Sequence, residues 1–301
     1  MKTIITGVTG FVGQNLSKYL DTQQIEVGRV SLRNESWKNA LNNDVNALIH
    51  LAGKAHDTSN VSDQDEYYKI NRDLTIELFN EFLNSDIKKF FYFSSVKAVA
   101  DIVEDTLTED KIPNPVTPYG KSKIEAEKYI LSQNLPEDKK VYIIRPCMIH
   151  GPGNKGNLNL LYKIVEKGLP WPLAAFGNRR SFLGIDNLNY MILKMLEDNE
   201  LPSGIYNFAD DKAISTNELI STMNKALEKK PRLWKISKKL IENIAIIGDK
   251  LHLPLNSERL RKLTESYVVS NDKIKSALGI KELPFSTEEG LLKTIKSFKN
   301  K

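Results

Sequence analysis

Thr6-Gly7-Val8-Thr9-Gly10-Phe11-Val12-Gly13 is the stretch on which the reading of the whole chain turns. It follows Lys2–Thr6, which reads as a strand, and it opens a segment from Phe11 to about Leu20 with helical periodicity. At such a junction each glycine has its own task. Gly7 permits the angles of a tight turn, Gly10 lets the main chain approach a pyrophosphate, and Gly13 lets helix and strand pack closely. The phosphates would lie at the helix N-terminus, where unpaired N–H groups and the helix dipole favour an anion. With Thr9, Phe11 and Val12 completing the loop, the segment is a candidate dinucleotide-binding turn.

Working outward, short apolar runs alternate with helical patterns, the sequence form of a parallel sheet with crossover helices. Strands are expected at Val27–Leu32, Ala47–Leu51, Phe90–Phe93 and Val141–Ile144, the second being the continuous run of a strand buried on both faces. Helices are expected at Tyr67–Asn84, with Tyr67, Ile70, Leu74, Leu78 and Phe82 in register, and at Tyr119–Gln133. After Gly151-Pro152-Gly153 helices dominate (about 157–167, 187–199, 216–228 and 234–250), with short strands near 182–185 and 205–208. The expected fold is a Rossmann-type doubly wound α/β sheet with a smaller, mostly helical C-terminal substrate domain. Residues 1–152 would form the dinucleotide-binding domain, with 182–210 returning to its sheet, and 153–181 and 211–301 the second domain.

Composition bounds the partners. Of 301 residues, 41% are hydrophobic and 27% charged, which excludes disordered, collagenous and membrane classes. The net charge is a mild +5, yet residues 225–262 hold eleven Lys/Arg against four Asp/Glu, so that segment alone carries +7. A general nucleic-acid footprint is not expected, whereas local attraction for a diphosphate is. Pro231–Leu255 is basic and amphipathic; its apolar face is expected to pack on its own domain, with weak peripheral membrane contact as the alternative. Cys147 is the single cysteine, and His50, His56, His150 and His252 lack ligand spacing, so no disulfide and no metal site is expected and each histidine is read as structural or solvated. No apolar run reaches the roughly 18 residues of a membrane span, and the N-terminus lacks a signal-like one, which gives a cytoplasmic expectation.

An acid usually follows the second strand of an NAD site to hold the ribose hydroxyls. Here the region is Val30-Ser31-Leu32-Arg33-Asn34, so Arg29 or Arg33 could pair with a 2′-phosphate, favouring NADP(H) within an NAD(P) expectation. Tyr119 and Lys123 stand four apart on a predicted helix and share a face. A phenol ionises near pH ~10, and a nearby ammonium would stabilise its phenolate for proton transfer. Ser94-Ser95 ends the fourth strand, where substrates bind in open α/β sheets, and a hydroxyl there can hydrogen-bond a sugar oxygen.

These motifs together resemble the extended short-chain dehydrogenase/reductase family, its nucleotide-sugar epimerase/dehydratase group. The resemblance spans nearly the whole chain: the glycine turn, His50-Leu51-Ala52-Gly53, Asn71, Phe93-Ser94-Ser95, Tyr119 with Lys123, Arg145-Pro146 with Gly151-Pro152-Gly153, and Arg179 through Leu188. It implies that Ser95 polarises the substrate, Tyr119 is the acid/base, Lys123 holds the cofactor ribose and the phenolate, and Asn71 holds nearby backbone. Leu51, Ala52, Gly53 and Pro146 would line the cofactor. Arg180, Asn157 and one of Arg259, Arg261 or Lys262 would meet the diphosphate of a UDP-sugar.

Two departures bear on the reaction. Dehydratases of this group carry Asp-Glu after the catalytic hydroxyl residue, and Val96-Lys97 stand there, which argues against dehydration. His150 occupies a position where tyrosine is usual. Ser95-Val96-Lys97, Gly168 through Leu173 and Asn178 through Ser181 together resemble a subgroup whose members reduce, or are labelled 4-epimerases for, UDP-6-deoxy-N-acetylhexosamines in bacterial surface-polysaccharide synthesis. The expected activity is reduction of a UDP-4-keto-6-deoxy-N-acetylhexosamine by a monomer or homodimer, with 4-epimerisation as the alternative. A non-catalytic NAD(P)-sensing regulator is disfavoured by the intact Ser95, Tyr119 and Lys123.

Overall fold

Ile4 and Ile5 in Lys2–Thr6 are buried on opposite faces, and around that strand the computed structural model builds a six-stranded sheet. The structure describes all residues except 35–36, 42–43, 55–63, 155–156, 252, 254 and 300–301. In chain order come β1 (Lys2–Thr6), α1 (Phe11–Thr22), β2 (Glu26–Val30), α2 (Trp37–Ala40), β3 (Ala47–His50), α3 (Gln64–Tyr68), α4 (Leu74–Asn84) and β4 (Lys89–Phe93). Next are β5 (Thr106–Leu107), α5 (Pro118–Ser132), β6 (Lys140–Pro146), β7 (Met148–His150), α6 (Asn157–Glu166), β8 (Phe182–Gly184), α7 (Ile185–Glu197) and β9 (Gly204–Phe208). Last are α8 (Thr216–Ala226), α9 (Lys238–Leu251), α10 (Ser257–Thr264), β10 (Val268–Val269), α11 (Asp272–Ala277) and α12 (Thr287–Lys296).

The sheet runs β2-β1-β3-β4-β6-β9 and is parallel throughout. The chain leaves β1 toward one edge and returns toward the other at β3, so the order reverses between β1 and β3. Ligands of open α/β sheets bind at such a reversal, beyond the carboxyl ends of the strands. Alternation along the strands sends Ile5, Phe91 and Ile144 to a core with Leu16, Leu188 and Met191, and Ile4, Phe90 and Ile143 to one with Leu78, Phe79 and Phe82. Burying each such side chain contributes about 1.5–3 kcal/mol, which locks the strand ends in place. A separate apolar cluster joins α6, α8, α9, α10 and α12 through Leu161, Leu219, Met223, Ile241, Leu260 and Leu291.

The structure corrects several expectations. Phe182–Gly184 does not enter the large sheet; it pairs with Met148–His150 in a small sheet of its own. The place beside β6 is taken by β9, in register from Tyr142↔Gly204 to Pro146↔Phe208. The helix expected over 67–84 is interrupted by a π-helical turn, Lys69–Asp73. The helix expected from 234 starts at Lys238, because Leu233 and Lys235 are bridged in extended form to Trp171 and Leu173. The strand expected to end before Arg145-Pro146 runs through both. Helices α10 to α12 and the β5–β10 pair were not anticipated; β5 and β10 are two residues each and exist only by pairing across the chain.

Candidate active site

The glycine turn has the shape its sequence requires. Gly7 adopts φ +71°, and a Cβ there would lie 2.6 Å from the Ala52 nitrogen. A Cβ on Gly13 would lie 2.4 Å from the Gly7 carbonyl oxygen. Gly10 caps α1 without any side-chain hydrogen bond, and no acidic residue stands in the first turn, so that end of the helix presents its N–H groups and dipole without a competing anion. Across the reversal point, Ala52 donates its backbone N–H to Thr6 Oγ1 at 3.2 Å, which ties Leu51-Ala52-Gly53 to the glycine turn. The cradle fits a dinucleotide diphosphate. Arg29 pairs with Asp21 at 3.3 Å, whereas Arg33 is exposed just beyond β2.

Asn71 sits on the π-helical turn, fully buried. Its Oδ1 accepts from the Lys54 N–H at 2.8 Å, and its Nδ2 donates to the Lys54 carbonyl at 3.1 Å and to Ser122 Oγ at 3.2 Å. The widened turn aims this side chain at the loop after β3, so Asn71 couples that loop to α5. Such single π turns recur at functional sites.

Helix α5 begins where the chemistry needs it. Thr117 caps it by accepting from the Gly120 N–H at 3.2 Å, and Pro118 takes the first position, where a missing N–H costs nothing. Asp101 fixes the approach by accepting from the Val116 N–H at 2.8 Å. Gly120 is required by packing, since a Cβ would lie 2.3 Å from the Lys97 carbonyl oxygen. Close contact there places Tyr119 near Ser95, whose hydroxyl lowers the phenol's pKa.

Burial pushes the Tyr119 phenol above its ordinary value, the nearby Ser95 hydroxyl pulls it back, and Tyr67 raises it further. Burial draws the Lys123 ammonium down to about 8, opposed by the carboxylate of Glu127. Lys123 Nζ donates to the Phe93 carbonyl at 2.9 Å and lies over the Tyr92 ring. Its position also faces Gly53, where a Cβ would come within 3.3 Å of Nζ.

Sequence reasoning missed the support beneath this face. Glu127, one further turn along α5, is fully buried and forms a bidentate pair with Arg145 of β6, with Nε 3.1 and 3.2 Å from its two oxygens. Ser94 also donates to Glu127. Spacing i, i+4, i+8 from Tyr119 was the available signal. Pro146, at the end of β6, is buried beside this pair in sequence and lines the sheet's carboxyl edge.

On the far side of Ser95, Lys97 donates to the Asp101 carbonyl at 2.8 Å and lies 4.2 Å from the Tyr267 ring centroid. Burial lowers its ammonium; Asp101 and Glu265 oppose this, and Arg180 and Arg261 add to it. Arg180 and Arg261 thus lie on the Lys97 side of the Ser95 segment, near enough to lower its ammonium. Tyr267 also missed detection; its hydroxyl donates to the Ala100 carbonyl at 2.7 Å, pinning the loop after β4.

The remaining candidates divide. Arg180 donates Nε to the Glu265 carbonyl at 2.9 Å and Nη2 to the Lys262 carbonyl, holding the C-terminal end of α10. Arg259 and Arg261 are exposed on α10, and Lys262 is bound to Glu258 at 2.6 Å. Asn157 opens α6, but its side chain lies outside the described residues, as do His56 and His252. His50 bridges Thr6 and Thr75 at 2.8 and 3.0 Å, and burial lowers it to about 3, with Lys123 adding to the effect. His150 is buried against Thr294 at 2.9 Å and Phe182, so this departure has a structural tie between β7 and α12.

Comparison with known proteins agrees with this geometry. Residues 3–209 match the NAD dependent epimerase/dehydratase family. The chain is 29% identical to a UDP-glucose 4-epimerase of Vibrio cholerae, across 98% of its own length and 94% of the relative's. It is 26% identical to an N-acetyl-alpha-D-glucosaminyl-diphospho-ditrans,octacis-undecaprenol 4-epimerase of Escherichia coli O157:H7, across 75% and 72% of the two chains. Its fold matches a UDP-N-acetylglucosamine 4-epimerase from Bacillus cereus with a TM-score of 0.78 at 20% identity, covering 100% of both chains. The chain belongs to the NAD dependent epimerase/dehydratase family and is an NAD(P)-dependent enzyme.

Proposed function

We propose that the chain reduces a UDP-4-keto-6-deoxy-N-acetylhexosamine at C4, with NADPH as the favoured reductant. The observation that carries this reading is Ser95 near Tyr119, with Lys123 on the same face of α5, and the ammonium of Lys97 where elimination chemistry needs a carboxylate. When bound, a reduced nicotinamide supplies the hydride that C4 accepts. Ser95 donates a hydrogen bond to the C4 carbonyl oxygen and polarises it. Tyr119 gives that oxygen its proton, and Lys123, four residues along the same helix, compensates the phenolate left behind. Asn71 keeps the loop after β3 in place for the cofactor.

Arg33 and the lack of an acid after β2 support NADP(H), which suits a net reduction because the cofactor must leave after each turnover. Residues 1–152 with 182–210 serve the cofactor, and 153–181 with 211–301 serve the nucleotide sugar. There Arg180 and Arg261 are the candidates for the diphosphate, in a planar geometry suited to phosphate oxygens. A 4-epimerase is the second reading, favoured by the activities named for the Vibrio and Escherichia relatives.

The test is incubation with a UDP-4-keto-6-deoxy-N-acetylhexosamine and NADPH, following the absorbance of the reduced nicotinamide. Stoichiometric loss is expected. No loss, together with interconversion of C4 epimers when a 4-hydroxy UDP-N-acetylhexosamine is supplied in its place, would replace reduction by epimerisation.

A further inference from the structure

Helix α9 does not cover its apolar surface. Only Ile241, Ala245 and Gly248 are buried, along a seam packed on α10, and Gly248 is needed there because a Cβ would lie 1.9 Å from the Leu255 carbonyl oxygen. Small residues along the seam leave much of the helix outside. Leu240, Ile244, Ile247 and Leu251, spaced i, i+4, i+7 and i+11, form one stripe and are 53%, 40%, 52% and 64% exposed. Trp234, just before the helix, is 50% exposed. The sequence expectation that this face packs on its own domain is thus corrected.

The charges beside the stripe indicate what covers it. Lys239 and Lys250 lie along its open side at helical spacing, and Lys235 and Lys238 are exposed at the helix entrance. The surrounding segment 225–262 carries +7 while the whole chain carries only +5. A second copy would bring the same positive segment against the first and leave the lysines opposed. An anionic lipid surface satisfies both the apolar stripe and its basic border. Among the described residues no helix is long and apolar enough to cross a membrane, so the contact is one that lies on the surface.

We propose that α9, with Trp234, docks this enzyme in the plane of an anionic membrane surface. The apolar stripe enters the acyl boundary, and Lys235, Lys238, Lys239 and Lys250 meet the headgroups. α9 leads directly into α10, whose last carbonyls accept from Arg180. The docked face and the diphosphate side of the cleft therefore belong to one hairpin. This inference does not depend on which C4 reaction the enzyme performs.

The test is co-sedimentation of the full chain with vesicles of phosphatidylcholine and phosphatidylglycerol in equal parts, against phosphatidylcholine alone. Binding to the anionic vesicles is expected, weakening with salt, together with a blue shift of tryptophan emission. That shift reports Trp234, since Trp37 and Trp171 are buried at 4% and 5% exposure. The Ile244→Glu/Ile247→Glu variant is expected to lose binding by at least about tenfold, with unchanged thermal unfolding and unchanged turnover of a soluble nucleotide sugar. Lys239→Glu/Lys250→Glu should do the same at low salt. Equal or absent binding to the two vesicle types overturns the proposal. So does light scattering that shows a dimer which the Ile244→Glu/Ile247→Glu variant splits, because the stripe then belongs to a second copy.

Discussion

On the proposed cofactor side, the groups come from strand ends and one helix face that the chain lays down in order. The glycine turn follows β1, Ala52-Gly53 follows β3, Ser94-Ser95 follows β4, and Tyr119 and Lys123 share α5. On the sugar side the cations come from the loop after β4, from the strand-like run at Arg180 and from α10, and they meet only in space. The first side is buried and held by bonds of its own, as at Asn71 and the Glu127–Arg145 pair. The second is more exposed and partly committed to holding α10. In the proposed function, chemistry that needs fixed geometry is built into the sheet, whereas recognition rests on groups with separate structural duties.

The largest effect should come from the cofactor side. Tyr119→Phe is expected to lower kcat by about 10²- to 10⁴-fold, the usual scale of lost general acid catalysis, with dinucleotide affinity and thermal stability retained. Turnover at the wild-type rate, measured under saturating cofactor, would remove Tyr119 from the mechanism and with it the contrast between the two sides.

Stability should respond to acid through the same buried region. His50 has its folded value lowered from 6.5 to about 3 by burial, with Lys123 adding to the effect. Between those values the unfolded chain binds the extra proton, so stability rises with pH and is lost as pH falls from 6.5 toward 3. The slope from this one group is about 1.4 kcal/mol per pH unit. Denaturant titrations from pH ~7 to ~5 should show it, and His50→Gln should flatten the curve. An equally steep curve in that variant would assign the loss to other groups.

The sugar side predicts smaller and divided effects. Arg261→Ala should raise KM for the nucleotide sugar about tenfold, as for one charge-assisted contact, with kcat and unfolding midpoint unchanged. Lys262→Ala, whose ammonium is paired with Glu258 on the surface, should change KM by less than about twofold. The opposite ranking in initial-rate measurements would reassign the diphosphate contact between these neighbours.

Much of the cofactor side was legible because local rules suffice there. A strand, a turn that needs glycine, a helix start and an i, i+4 pair are each written in adjacent residues. The departures arose where one residue served a distant partner. The π turn at Asn71 is set by the Lys54 backbone and Ser122, and β8 left the large sheet because β9 had filled the edge beside β6. Glu127 carried its signal in its spacing, whereas nothing near Tyr267 announces that its ring lies over Lys97.

By itself, the sequence determined the parallel α/β order, the glycine cradle, the hydroxyl pair with its lysine and the basic segment at 225–262. Periodicity, turn chemistry and charge are local properties, and they survive in a list of residues. The tertiary structure alone decided that Arg180 and Arg261 lie on the Lys97 side of the Ser95 segment and that the stripe on α9 stays uncovered. The first depends on Arg180 holding the end of α10, and the second on α9 burying only Ile241, Ala245 and Gly248, the last pressed on the turn at Leu255.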